Sequence, residues 1–144
     1  MFGIAAKGFQ NQFLVIELWL NGDMATRPKR FELRNFDAML RRSDAGRVIV
    51  ATSGAAAGGL AYWSPYAASK AALEAMVSCW AEETRKTDLR INLIDPGVMA
   101  TALRAEAFPG ENQTSLRSPE AIAPMIVELA SPSATLHGQV MRAS

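Results

Sequence analysis

One cysteine, one histidine and two tyrosines are all that this chain of 144 residues holds of those types. The lone Cys79 excludes an internal disulfide, and a reduced, cytoplasmic setting is the simplest expectation. Beside Trp80 it reads as a small packing residue of a helix. The lone His137 leaves a metal cluster or a Ser-His-Asp triad without support, and it reads as a loop or surface histidine. Charge of one sign is lacking too. Fifteen Lys and Arg face fourteen Asp and Glu, for a net charge of +1, which gives no electrostatic ground for a nucleic-acid or membrane partner. Six of the basic residues lie between Arg27 and Arg42 and are expected to form a solvated helix face.

Long apolar runs are also missing. FLVIELWL, residues 13–20, is broken by Glu17 and falls short of the roughly 20 residues that span a bilayer. It is expected to be a buried strand or helix. No basic segment followed by a small-residue cleavage site precedes it, so no signal peptide is expected. There are no repeats and no low-complexity stretch. What remains is a chain 49% apolar and 20% charged, a composition that supports a packed core at single-domain length.

RVIVA (47–51) is a β-branched run behind the turn Asp44-Ala45-Gly46, suited to a strand buried on both faces. FELRNFDAMLRRS (31–43) has helical apolar spacing. Ser64-Pro65 predicts the start of a second helix, with serine as N-cap and a buried stripe of Leu73, Met76, Val77 and Trp80, running to about Lys86. LRINLID (89–95) reads as a strand ended by Pro96-Gly97. Ser118-Pro119 should open a helix to about Ala130, weakened early by Pro124, and GQVMRA (138–143) a last short strand. Helices alternating with strands predict right-handed crossovers and a parallel α/β sheet, built on 47–52 and 89–95.

Gly54, Gly58 and Gly59 follow the first of these strands and suggest a phosphate loop. Such a loop must open directly into a helix N-terminus. Here Leu60-Ala61-Tyr62-Trp63 intervenes, and no acidic residue ends a following strand at the spacing of a ribose contact. The segment reads better as one that carries side chains. Tyr66 and Lys70 are i and i+4 on one helix face, Ser53 lies just past one strand, and Pro96-Gly97 lies just past another. Ligands of open α/β sheets bind outside those carboxyl ends.

The serine thirteen residues before Y-A-A-S-K, the alanine-rich YAASKAAL and the downstream P-G-V-M-A-T together resemble the short-chain dehydrogenase/reductase family. The resemblance covers about residues 30–142. It implies a parallel-sheet, Rossmann-like (doubly wound) α/β fold lacking its N-terminal strands. Residues 1–30 then form a divergent segment with no family match, and 31–144 the C-terminal part of the domain. It also implies an oxidoreductase that moves a hydride between NAD or NADP and an alcohol or carbonyl substrate. Ser53, Tyr66 and Lys70 would be the catalytic residues, and Pro96, Gly97, Val98 and Thr101 would meet the nicotinamide end of the cofactor together with Tyr66 and Lys70. An acid–base tyrosine, at about 10 when unperturbed, must be tuned toward neutrality, and Lys70 would supply the charge.

The family's T-G-x-x-x-G-x-G and N-N-A-G motifs are absent from the chain. The family's further asparagine should fall near Ala25, and neither Asn21 nor Asn35 is assigned its role. A second reading therefore stands: a truncated, inactive remnant that keeps only the helices 31–43 and 64–86, through which relatives form dimers. Tyr62 and Trp63 are left between pocket wall and packing. Met99, Leu103 and Phe108 fall where the family carries a segment over the substrate, which favours an apolar substrate.

Overall fold

The computed structural model describes residues 13–17 and 36–143; Asn21, Ala25, Asn35 and most of the basic run from Arg27 lie outside them. Among the described residues four strands form one sheet in the order β1 (Phe13–Glu17), β2 (Arg47–Ala51), β3 (Arg90–Asp95), β4 (Val140–Arg142), and every neighbouring pair is parallel. The start of FLVIELWL is therefore a strand, in register with β2 from Phe13 opposite Arg47 to Glu17 opposite Ala51.

Side chains of successive strand residues point to opposite faces, and both faces of β2 are covered. Val48 and Val50 pack with Ile91 and Leu93 of β3 against Leu73, Val77, Trp80 and Ala81 of helix α1 (Ser64–Thr84), with Leu40 from the helical residues 36–40. Ile49 points the other way, with Ile94, onto Leu129, Met125 and Ile126 of helix α3 (Ala123–Ala130). Each such fully buried aliphatic side chain contributes about 1.5–3 kcal/mol. Helices on both faces of a parallel sheet make the doubly wound α/β layering that the β-branched runs predict.

Gly46 is required by a close approach, since a Cβ there would meet the Leu40 carbonyl at 2.6 Å. Arg47 begins β2 with its guanidinium buried. It donates to the carbonyls of Gly46, Asp88, Ser131 and Pro132 at 2.6–3.1 Å. Burial, with Arg90 nearby, holds its pKa below the ordinary arginine value against the opposing charge of Asp88, and the four carbonyls satisfy its donors.

Several boundaries differ from the sequence reading. Helix α1 begins at Ser64 itself, with Trp63 at the N-cap and no side-chain cap bond. The predicted helix from Ser118 to Ala130 is two pieces, a 3₁₀ turn over Pro119–Ile122 and then α3. Pro124 has no N–H to give to the carbonyl four residues back, so the α ladder restarts around it. Cys79, expected to pack, is exposed. The buried side of α1 is the stripe of Leu73, Val77, Trp80, Ala81 and Thr84, and residue 79 falls opposite. His137 lies in a loop as expected, but its ring is bonded on both sides. Nδ1 accepts from the Ile91 amide at 3.2 Å and Nε2 lies 2.8 Å from the Ala81 carbonyl.

Candidate active site

At the carboxyl end of β2 the chain runs Ala51, Thr52, Ser53 and then turns into a 3₁₀ helix, Gly54–Ala57. Ser53 caps that turn, its Oγ accepting from the Ala55 amide at 3.2 Å. A hydroxyl that accepts still has its own hydrogen to donate. Gly58 (φ +80°) and Gly59 (φ +87°) then turn the chain outward, with nothing within 4 Å of a Cβ at either. The loop returns through Tyr62, fully exposed at φ +66°, a conformation costly for a residue with a side chain. Tyr62 thus packs on nothing among the described residues. Trp63 does pack, edge-on to the Tyr66 ring (5.4 Å, 84°) and stacked on Phe108 (5.5 Å, 13°).

The first turns of α1 carry Tyr66 and Lys70. Lys70 is 4% exposed, and its Nζ donates to the Ala51 carbonyl at 3.2 Å while lying 5.8 Å from the centre of the Tyr66 ring. The ammonium therefore joins the end of β2, two residues before Ser53, to the tyrosine one turn back along the helix. One turn further on, Glu74 accepts from the hydroxyl of buried Thr52 at 2.6 Å. That bond ties the same strand end to the same helix stripe. Its position eight residues after Tyr66 was the signal available in the sequence.

Across the sheet, β3 ends at Asp95, whose Oδ1 accepts from the Gly97 amide at 3.1 Å. Gly97 has φ +70°, a backbone that favours glycine and makes the Pro96-Gly97 bend. Val98 is exposed, and Thr101 caps the short helix α2 (Ala102–Ala107) by accepting from the Arg104 amide at 3.2 Å. Behind it, Arg104 makes a bidentate pair with Glu111, both contacts at 2.6 Å, and its guanidinium lies 3.7 Å from the centre of the Phe108 ring. Each partner favours the charged form of the other: Glu111 is held below, and Arg104 above, its ordinary pKa, first through that hydrogen bond. Arg104, Phe108, Trp63 and Tyr66 thus form a continuous run of contacts, stacked as far as Trp63 and edge-on from there to Tyr66, from the segment after Pro96-Gly97 to the helix bearing the tyrosine. Met99, expected in the same segment, forms a bridge to Arg117. Among the described residues no group of His, Cys, Asp and Glu could hold a metal ion.

A parallel sheet with helices on both faces, and polar side chains gathered past the carboxyl ends of its strands, defines an α/β protein of the dinucleotide-binding type. The sequence model of the short chain dehydrogenase family matches residues 33–112, more than half of the chain, and the chain belongs to that family. It is 42% identical over 91 residues to the uncharacterized oxidoreductase YciK of Escherichia coli (strain K12), a match covering 63% of this chain and 36% of YciK. It is 30% identical over 115 residues to NADPH-dependent aldehyde reductase 2, chloroplastic, of Arabidopsis thaliana, covering 73% of this chain and 42% of the reductase. A short chain dehydrogenase from Escherichia coli CFT073, solved in complex with NADPH, superposes at a TM-score of 0.79 with 29% identity, over 93% of this chain and 63% of that one. The chain thus spans well under half the length of these two curated relatives.

Proposed function

We propose that the chain carries the catalytic half of an NAD(P)-dependent oxidoreductase acting on an alcohol or carbonyl substrate, with residues 31–144 as the C-terminal part of the family's domain. The observation that carries this reading is the Lys70 ammonium set between the Ala51 carbonyl and the Tyr66 ring. A bound nicotinamide supplies or takes the hydride. Tyr66 Oη gives or takes the proton at the substrate oxygen, and Ser53 Oγ, already accepting from Ala55, donates to that oxygen and polarises it. Lys70 places a positive charge 5.8 Å from the centre of the Tyr66 ring.

The residues present suit one end of the cofactor. The bend at Gly97 and the open face of Val98 leave backbone accessible beside the strand ends, so Pro96, Gly97, Val98 and Thr101 are the proposed contacts for the nicotinamide end. The described residues suit the pyrophosphate poorly, because Gly58 and Gly59 lead to Leu60 and Tyr62 in solvent and not into a helix. That one relative is named for NADPH and another was solved with it favours NADP over NAD here.

Titration of the ¹⁵N-labelled chain with NADPH, followed by nuclear magnetic resonance, tests the reading. The expected result is perturbation of the Gly97, Val98 and Thr101 amides at an affinity weaker than micromolar. Saturable binding that leaves those amides unmoved overturns it. Association with a second copy is a separate proposal. The outer face of α1 presents Ala68, Ala72, Ala75 and Cys79 to solvent, small enough for a like helix to approach closely. Sedimentation showing a monomer at all concentrations removes it. Among the described residues no helix is long and apolar enough to cross a membrane, and cytoplasmic placement, expected from the lone cysteine, is likewise a proposal that exclusive recovery in the membrane fraction would overturn.

A further inference from the structure

Asp95 ends β3 with only 9% of its surface exposed, and its carboxylate is bonded to one segment and lies beside two others. Oδ1 accepts from the Gly97 amide at 3.1 Å. Oδ2 faces the loop that begins at Ser53, where a Cβ on Gly54 would stand 3.4 Å from it. The same oxygen lies 3.9 Å from Nε of Arg142 in β4, while the Asp95 carbonyl accepts from the Ala143 amide at 2.9 Å. We propose that Asp95 is a positioning residue, whose carboxylate fixes the Pro96-Gly97 bend against the Ser53 loop and so sets the relation of the two site segments.

Most of this effect comes from Oδ1. An aspartate that accepts from the amide two residues on closes an Asx turn, and that ring holds the backbone of Pro96 and aims the Gly97 N–H at the carboxylate, while the φ of +70° at Gly97 is one that glycine adopts without strain. The Arg142 contact is long and its side chain is 73% exposed, so it adds little. The position that Oδ2 takes beside Gly54 is the steric part. Asparagine preserves both size and the accepting oxygen, whereas alanine preserves neither. The inference rests on the proposed reading that residues 96–101 meet the cofactor, but its first test does not.

That test is the solvent-exchange rate of the Gly97 amide in the chain without cofactor. Asp95→Asn should leave the rate close to that of the wild type, and Asp95→Ala should raise it roughly tenfold, the scale of one charge-assisted hydrogen bond. Equal rates in wild type and Asp95→Ala overturn the proposal. Should the alanine variant not fold, a wild-type Gly97 amide that exchanges as fast as an unstructured peptide overturns it, and a protected amide equally protected in Asp95→Asn supports it. The second readout is the NADPH-induced shift of Gly97, retained in Asp95→Asn and weakened about tenfold in Asp95→Ala if the bend is being positioned for the ligand. A wild-type shift that survives unchanged in a folded Asp95→Ala overturns the positioning role. A wild type in which NADPH moves none of residues 96–101 refutes instead the cofactor reading, while the exchange rates still judge Asp95.

Discussion

Replacing His137 is expected to destabilise the fold by an amount set by one backbone amide. Ile91 is buried in β3; its carbonyl accepts from the Gly138 amide at 2.7 Å, and Leu93 further along donates to the Gln139 carbonyl at 2.8 Å, but the Ile91 N–H on the same side meets no backbone carbonyl among the described residues. His137 Nδ1 occupies the place of the missing strand acceptor. A nitrogen that accepts carries no hydrogen, so the proton is on Nε2, which donates to the Ala81 carbonyl. His137→Ala leaves the Ile91 donor unpaired, a cost of about 1–3 kcal/mol. The Ala81 carbonyl loses less, because the Thr84 hydroxyl also donates to it at 3.1 Å. A total of about 2 kcal/mol lowers Tm by roughly 8 °C in a domain of this size. His137→Asn, whose Oδ1 reaches about as far from the backbone as Nδ1, should recover about half of that loss. His137→Phe should be at least as damaging as alanine, since its ring fills the space, accepts nothing and keeps water from the amide. Thermal unfolding followed by circular dichroism ranks the series. Asparagine no better than phenylalanine would refute the reasoning.

Two further outcomes follow from the site. Glu74→Ala strips the acceptor from the buried Thr52 hydroxyl and should cost about 1–3 kcal/mol in urea denaturation, against under about 1 kcal/mol for Glu74→Gln, which keeps an accepting oxygen; equal losses sink the claim. Glu111 is held below its ordinary value of 4.5 by Arg104, so the pair's stabilisation is complete above that pH and is lost as acid passes through the lowered folded value. Because Arg104 covers Phe108, and Phe108 stacks on Trp63, the Trp63 indole resonance should shift below about pH 4.5 in the wild type but not in Glu111→Gln, where no carboxyl titrates. An identical acid shift in both proteins would disconnect the ion pair from the stack.

The strands were legible because their causes are local. RVIVA is a strand over the five predicted residues, and LRINLID loses only its first. A β-branched run bounded by a glycine turn and a Pro-Gly bend has few other conformations open to it. Pro124 was read as a weakness and is a full interruption, because the length of an α ladder depends on every donor along it. The polar joints were not legible. Arg104 and Glu111 are seven residues apart across a turn, and no repeat relates them. His137 looked idle because its two partners are backbone atoms 46 and 56 residues away, and backbone atoms carry no sequence signature.

The glycine loop shows why spacing to the next helix outweighs glycine count. Gly58 and Gly59 both take positive φ, as a phosphate loop would need, yet the chain they turn goes outward to the exposed Leu60 and Tyr62. A phosphate is held by amides that a helix N-terminus aims together; four residues of separation leave these amides aimed elsewhere. What the loop does achieve is a reversal between Ser53 at the end of β2 and Tyr66 at the start of α1. Lys70 then needs only one turn of helix to reach back to the Ala51 carbonyl. The same stretch that fails as a cradle brings the serine-bearing strand end and the tyrosine-bearing helix to one end of the sheet.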